Sequence, residues 1–137
     1  MAATFELEIA TPERLLVHEQ AVRAQIPAEN GYIGVLPGHA PLFAQLGIGA
    51  LSYVTDADRP FTVLVSQGFI EVRDNRVRVL ADEAVPGSEI DLAQAEEALR
   101  LAQERMVNPA PDVDMEALLI AYRKAMARAD TARQAQA

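Results

Sequence analysis

The chain has 137 residues, of which 50% are apolar and 23% are charged, a composition typical of one globular domain or a small domain with an appendage. Its net charge is -8 and it has no cysteine, which excludes disulfides, thiolate nucleophiles and thiolate metal sites. Proteins bind phosphate backbones and anionic membranes through clustered Lys and Arg, and acidic residues outnumber basic ones here. We therefore expect neither nucleic-acid binding nor direct lipid insertion.

Residues 1–87 alternate apolar and polar side chains over short segments, as half-buried strands do. Turn-forming residues separate these segments, and Asp74-Asn75 tolerates the positive φ angles that a two-residue hairpin turn demands. Short strands at this spacing, with no helical period between them, predict an all-β sandwich or barrel. The predicted strands are Thr4–Ala10, Val22–Ile26, Ile48–Val54, Phe61–Val65, Ile70–Val72 and Val77–Val79.

Residues 88–137 change to a helical period. A first helix is predicted over about residues 91–106, and Asp91 followed by Gln94 is typical of a helix start. The segment Asn108–Asp112 contains two prolines and must end this helix. The apolar positions of the first helix are Leu92, Ala95, Leu99, Ala102 and Met106.

A second helix is predicted over about residues 114–130, folding back on the first as an antiparallel hairpin. No large apolar residue follows Ala129, so we expect the end of this helix to fray. The sequence therefore predicts a loosely held helical appendage on a rigid β domain. Its apolar face would be formed by Met115, Leu118, Leu119, Tyr122 and Met126.

No group of residues predicts catalysis by this chain alone. The glycine-rich segment Gly31–Gly38 lacks the Gly-Lys-Ser/Thr ending of a phosphate-binding loop, and Ser66 lacks the glycine of a nucleophile elbow. His18 and His39 have no carboxylate at a recognised metal-ligand spacing. We expect no catalytic residue, no metal site and no cofactor, and the loop position of His39 favours an interface role slightly over a core role.

Four strings resemble the epsilon subunit of F-type ATP synthases, which is called delta in mitochondria. They are Thr11-Pro12-Glu13, Gly34–Leu42 with its Pro-Gly-His-Ala-Pro core, Gly68–Val72 and Val79–Asp82. The similarity extends over essentially the whole chain. The first residues do not have the composition of a leader, so we expect a bacterial version.

The resemblance implies a ten-stranded β-sandwich over residues 1–87 and a helical hairpin over residues 88–137. Such a subunit is a non-catalytic part of the central stalk, or rotor, in which proton flow turns the c-subunit ring and the gamma subunit carries the rotation to the sites of ATP synthesis. We therefore expect gamma and the c ring as partners. The expected location is peripheral, on the cytoplasmic face of the bacterial inner membrane.

Contact residues are also implied by the resemblance. The c ring would meet the loop of Glu29, Asn30, Gly31 and Tyr32, where an aromatic ring replaces the acidic group frequent in relatives. His39 and Pro41 would approach gamma.

The alternative function is chiefly regulatory. In several bacterial members the hairpin extends along gamma, meets the alpha and beta subunits and blocks ATP hydrolysis, a part that Arg123, Lys124 and Arg128 would play here.

Some members also bind ATP through an Ile/Leu-Asp-x-x-Arg-Ala motif. Ile90 and Asp91 match it, but Gln94 replaces the arginine. A lost charge-assisted contact costs about 1.5 to 3 kcal/mol, so the sequence predicts weak or absent ATP binding.

Overall fold

Six strands and two α-helices account for most of residues 3–136, the part of the chain that the computed structural model describes. The β strands come first and the helices last, in agreement with the sequence prediction. A short 3-10 turn, Gly87–Glu89, joins the two parts. The elements are β1 (Phe5–Ala10), β2 (Leu15–Ala28), β3 (Gly31–Val35), β4 (Leu42–Thr55), β5 (Pro60–Arg73), β6 (Arg76–Pro86), α1 (Leu92–Val107) and α2 (Met115–Gln136).

The strands close into a barrel. The sheet order is β1-β6-β5-β4-β2-β3, and β1 also pairs with β2, so five strands form a ring and β3 extends it at β2. The β1–β6 pair is parallel and the other pairs are antiparallel. The structure therefore has six strands among residues 3–136, which corrects the expected ten-stranded sandwich.

In β5, two of the strands predicted from the sequence form one. Two segments that the sequence pattern separates, Phe61–Val65 and Ile70–Val72, belong to this one strand of 14 residues. Between them Gln67 and Gly68 have φ angles of 59° and 140°, which bend the strand without ending it. A Cβ atom at Gly68 would overlap the carbonyl oxygen of Leu80, so only glycine fits this bend.

The barrel interior is filled by the inward side chains of all six strands. Phe5, Leu7 and Ile9 are almost completely buried, as the alternation in β1 predicts. The turn between β5 and β6 is also confirmed, because Asp74 and Asn75 both have positive φ. Burial of these large side chains makes the β part a rigid support for surface groups.

The hairpin packs on the barrel through α2, which contacts β4, β5 and the 3-10 turn, while α1 packs against α2. The buried positions of α2 carry small side chains, namely Ala127, Ala129, Thr131 and Ala132. Gly87 packs against this part of α2, since a Cβ atom added to it would be 2.8 Å from the Cβ of Ala135 and 3.1 Å from the carbonyl oxygen of Thr131. Small residues on both sides allow helix and barrel to approach closely.

This packing corrects two predictions about α2. Met115, Leu119 and Met126 are each more than a third exposed, although the sequence assigns them to the buried face. The helix does not fray after Ala129 but continues to Gln136, and Thr131 is completely buried. Contact with the barrel, and not side-chain size, holds this end of the helix.

Asp91 and Asp114 begin the two helices. The carboxylate of Asp91 accepts a hydrogen bond from the amide of Gln94 at 3.0 Å, which confirms the predicted start of α1. Asp114 accepts from the amides of Glu116 and Ala117 at 3.0 and 3.2 Å.

Candidate functional site

The outer face of the barrel that the hairpin leaves uncovered carries a continuous line of exposed apolar side chains. Leu15 and Leu80 both flank Ala10 in the strand register, and Leu80 is paired with Phe69. Phe43 stacks on Phe69 with ring centroids 5.5 Å apart. We call Leu15, Leu80, Phe69 and Phe43 the apolar row. Each of the four side chains is between 46% and 67% exposed. A contiguous exposed apolar surface of this kind marks a binding site for a partner.

Charged side chains from three strands lie beside the apolar row. Arg76 and Arg78 of β6 pair with Glu6 and Glu8 of β1 at 3.2 and 3.6 Å, and His18 Nε2 of β2 is 2.6 Å from Glu6 Oε1. The hydrogen bond from His18, followed by the charge of Arg76, holds the pKa of Glu6 below its ordinary value. These pairs offset most of the charge on this face.

The same cluster is the one place among residues 3–136 where His and carboxylate groups converge. The ligand atoms of Glu6, Glu8 and His18 all lie within 4.8 Å of one another, although the sequence spacing predicts no metal site. Both carboxylates already pair with arginine, so the cluster lacks the free negative charge that a divalent cation requires. Its arrangement fits a structural role at the junction where β1 closes the barrel.

His39 ends a tight turn that leads into the apolar row. Its amide donates to the Leu36 carbonyl oxygen at 3.2 Å, and Gly38 has a φ of 81°, as in a type II turn with Pro37 at its second position. His39 Nδ1 donates to the Ala40 carbonyl oxygen at 2.7 Å, which leaves Nε2 for other contacts. The turn therefore presents His39 and exposed Pro41 just before Phe43 in the chain.

The loop of residues 29–32 consists of the two-residue turn Glu29-Asn30 after β2 and the first two residues of β3, Gly31 and Tyr32, and it adjoins the same face. The amide of Glu29 donates to the carbonyl oxygen of Gln45 at 3.0 Å, which holds the loop beside β4. A surface cavity of about 460 Å³ is lined by Asn30 and Gly31 of the loop and by Phe43 and Gln45 of β4. The loop that the resemblance assigns to the c ring therefore lies near Phe43, at one end of the apolar row.

Tyr32 is partly engaged within the chain. Its hydroxyl accepts a hydrogen bond from the amide of Ala50 at 3.3 Å, and a Cβ at Gly49 would be only 2.8 Å from that hydroxyl. The tyrosine thus lies against β4, yet 58% of it stays exposed. The glycine that makes room for it could not be assigned this role from the sequence, because the contact joins separate strands.

The structure does not bring the candidate inhibitory and nucleotide-binding residues together in one site. Lys124 Nζ pairs with Glu83 Oε1 of β6 at 3.1 Å, and Arg123 lines a cleft of about 640 Å³ beside Tyr32. Arg128 lies exposed further along α2.

The two matched nucleotide-motif residues also have structural roles. Ile90 is buried against the hairpin, and Asp91 caps α1.

The apolar row was not predicted from the sequence, although the strand pattern contained its signal. Ile70 and Val79 are buried, so their neighbours Phe69 and Leu80 occupy outward positions that usually carry polar residues. Large apolar side chains in these positions indicate a covered surface in an assembly. No helix within residues 3–136 combines the length and apolar character required to span a membrane.

Comparisons with known proteins identify relatives over nearly the whole described chain. The family described as "ATP synthase, Delta/Epsilon chain, beta-sandwich domain" matches residues 4–87, and the one described as "ATP synthase, Delta/Epsilon chain, long alpha-helix domain" matches residues 88–133. The ATP synthase epsilon chain of Solibacter usitatus is 49% identical over 132 residues, covering 96% of this chain and 98% of the relative. That of Koribacter versatilis is 45% identical over 112 residues, covering 82% and 78%.

Solved structures show the same architecture. A chain in the Euglena gracilis mitochondrial ATP synthase structure, described as OSCP/F1/c-ring, has a TM-score of 0.80 and 26% identity, covering 98% of this chain and 82% of that one. A chain in the Tetrahymena thermophila mitochondrial ATP synthase structure, described as central stalk/c-ring, has a TM-score of 0.61 and shares the fold at 14% identity, with 96% of each chain covered. With both family matches covering its two parts, the chain belongs to the delta/epsilon family of ATP synthase chains.

Proposed function

We propose that the β barrel fastens the gamma subunit of the F-type ATP synthase to its ring of c subunits. The chain is an epsilon subunit of that enzyme and a component of its central stalk. In this role it transmits rotation and catalyses no reaction itself. The observation that carries the proposal is the uncovered apolar row with the loop of residues 29–32 beside it.

The apolar row and the turn of His39 form the proposed gamma contact. Fully burying an exposed Leu or Phe contributes about 1.5 to 3 kcal/mol. The four side chains are each still 46% to 67% exposed, so each would contribute a part of this to the contact. The neighbouring ion pairs limit the desolvation penalty because their charges are already offset. His39 Nε2 and Pro41 extend this contact at one end of the row.

The loop of Glu29, Asn30, Gly31 and Tyr32 forms the proposed c-ring contact. It lies at the edge of the face assigned to gamma, so one rigid barrel can hold both partners at once. The related Euglena structure is described as containing F1 and the c-ring, which supports these two classes of partner. The first relatives are bacterial, which supports a peripheral location on the cytoplasmic face of the inner membrane.

The regulatory alternative is not favoured. The hairpin is docked on the barrel, with its small buried residues matched to Gly87. We assign Arg123, Lys124 and Arg128 only a secondary part, as cationic contacts toward the alpha and beta subunits if the hairpin extends.

ATP binding is proposed to be weak or absent. Gln94 supplies no charge for a phosphate, and Asp91 is used as a helix cap. Titration calorimetry of the full chain with MgATP should show no binding in the micromolar range, and a micromolar dissociation constant would contradict this.

The gamma contact is tested by Phe69→Asp in the full chain, with affinity for gamma measured by titration calorimetry. A carboxylate in the apolar row would lose its hydration on binding without a partner, so we expect affinity to fall about 100-fold. Val107→Asp is the matched control, because Val107 is 86% exposed at the end of α1, outside the apolar row. Equal affinities of the two variants would refute the gamma contact.

The choice between the rotor and regulatory functions is tested in the assembled complex. Replacing Arg123, Lys124 and Arg128 together by alanine should leave ATP hydrolysis and its coupling to proton transport unchanged. A severalfold rise in hydrolysis would instead support the regulatory alternative.

A further inference from the structure

The side chain of Asn75 connects three segments that are far apart in the chain. Its Oδ1 accepts a hydrogen bond from the amide of Gly38 at 2.9 Å, and its Nδ2 donates to the carbonyl oxygen of Thr4 at 2.7 Å. The backbone carbonyl of Asn75 also accepts from the amide of Glu6 at 3.2 Å. One residue in the β5–β6 turn thus joins the start of β1 to the turn that carries His39.

The orientation of the Asn75 amide is dictated by its two partners. The Gly38 amide can only donate and the Thr4 carbonyl can only accept, so oxygen must face Gly38 and nitrogen must face Thr4. The Gly38 amide is also the one that a type II turn leaves unused, because the turn is closed by the amide of His39. The Asn75 side chain therefore provides a partner for the amide that the turn itself leaves without one.

The backbone at position 75 would accept a smaller residue. Asn75 has a φ of 60°, a conformation that glycine adopts without steric cost and that asparagine tolerates less readily. Asparagine differs from glycine here by the amide that makes the two contacts. The side chain therefore has a purpose besides forming the hairpin turn.

We infer that Asn75 is a positioning residue for the gamma contact, because its amide holds the Leu36–His39 turn against the barrel beside the apolar row. This inference rests on the proposed function. Without the amide, the turn keeps its internal hydrogen bond but loses its side-chain connection to the β5–β6 turn. His39 and Pro41 would then sample several positions, and binding would have to order them.

The test compares Asn75→Gly with Asp74→Gly in the full chain. Both substitutions relieve a positive φ in the same turn, but the Asp74 side chain makes no hydrogen bond within residues 3–136. For Asn75→Gly we expect the gamma affinity to fall roughly three- to tenfold. We also expect hydrogen exchange at the Gly38 amide, followed by NMR, to accelerate, whereas Asp74→Gly should match the wild type in both measurements.

Asn75→Asp separates the two contacts of the amide. The aspartate keeps an acceptor for Gly38 but cannot donate to Thr4, so gamma affinity should remain within about twofold of the wild type if the Gly38 contact does the positioning. A fall to the level of Asn75→Gly would overturn that assignment. Equal gamma affinity of the Asn75→Gly and Asp74→Gly chains would overturn the inference while leaving the proposed function intact, whereas a wild-type chain that does not bind gamma would overturn both.

Discussion

Replacing Gly87 by alanine introduces a methyl group between the barrel and the last turns of α2. The new Cβ would lie 2.8 Å from both Ala135 Cβ and Thr62 Oγ1, and 3.1 Å from the carbonyl oxygen of Thr131. Carbon atoms in contact are normally separated by about 3.5 to 4.0 Å. Thr131 contributes a helix carbonyl that cannot rotate away, so α2 itself must move. Gly87 does not have a positive φ, and the effect is therefore steric.

The size of the effect follows from this overlap. Overpacking a well-filled contact costs about 1 to 3 kcal/mol, and each ~1.4 kcal/mol changes an equilibrium tenfold. The opening of the hairpin from the barrel should therefore become roughly 5- to 150-fold more favourable. The expected readout is faster amide hydrogen exchange over residues 127–136, where Ala127, Ala129 and Ala132 are buried in the native contact.

Gly34→Ala provides the matched control for this experiment. A Cβ at Gly34 would meet only the side chain of Gln25, 3.3 Å away at its nearest atom, and that flexible chain can shift. Exchange over residues 127–136 should stay at the wild-type rate in this variant. If Gly87→Ala also leaves the exchange of α2 unchanged, the close packing of small residues does not hold the hairpin, and the reasoning is wrong.

Three further substitutions test separate features of the structure. Ser66→Ala should stabilise the chain by about 1 kcal/mol in urea denaturation, because Ser66 Oγ is buried without a hydrogen-bond partner in the described part of the chain; destabilisation would contradict this prediction. Glu6→Gln should reduce the loss of stability that the chain shows in acid. The pKa of Glu6 in the folded chain lies below its ordinary value, so the ionised carboxylate stabilises the fold above the ordinary pKa, and this stabilisation disappears as the pH falls through the folded pKa. Urea midpoints between about pH 3 and pH 7 measure this, and Glu13→Gln, an exposed site on the same domain, should keep the wild-type profile. Lys124→Gln removes an exposed ion pair with Glu83 and should cost less than about 1 kcal/mol, leaving α2 exchange nearly unchanged; full release of the hairpin would show that charge, and not packing, holds it.

Local sequence patterns predicted the secondary structure well where residues close together in the chain determine it. The alternation of Phe5, Leu7 and Ile9 identified the inward face of β1, and Asp91 identified the start of α1. The same reasoning failed for α2, where large residues suggested the buried face. The close contact with Gly87 admits only small side chains, and this requirement comes from a residue about 40 positions earlier in the chain.

The sequence by itself determined the β-then-α order, the turn at Asp74-Asn75 and the family to which the chain belongs, because each depends on residues close together in the chain or on short strings. Tertiary structure alone decided how the barrel closes. At the closure, Glu6 contacts Arg76, which is 70 residues away in the chain, and Asn75 contacts Thr4, which is 71 residues away. It also decided that Phe43 and Phe69 stack on an uncovered face. Such contacts depend on strand register and closure, which no local period encodes.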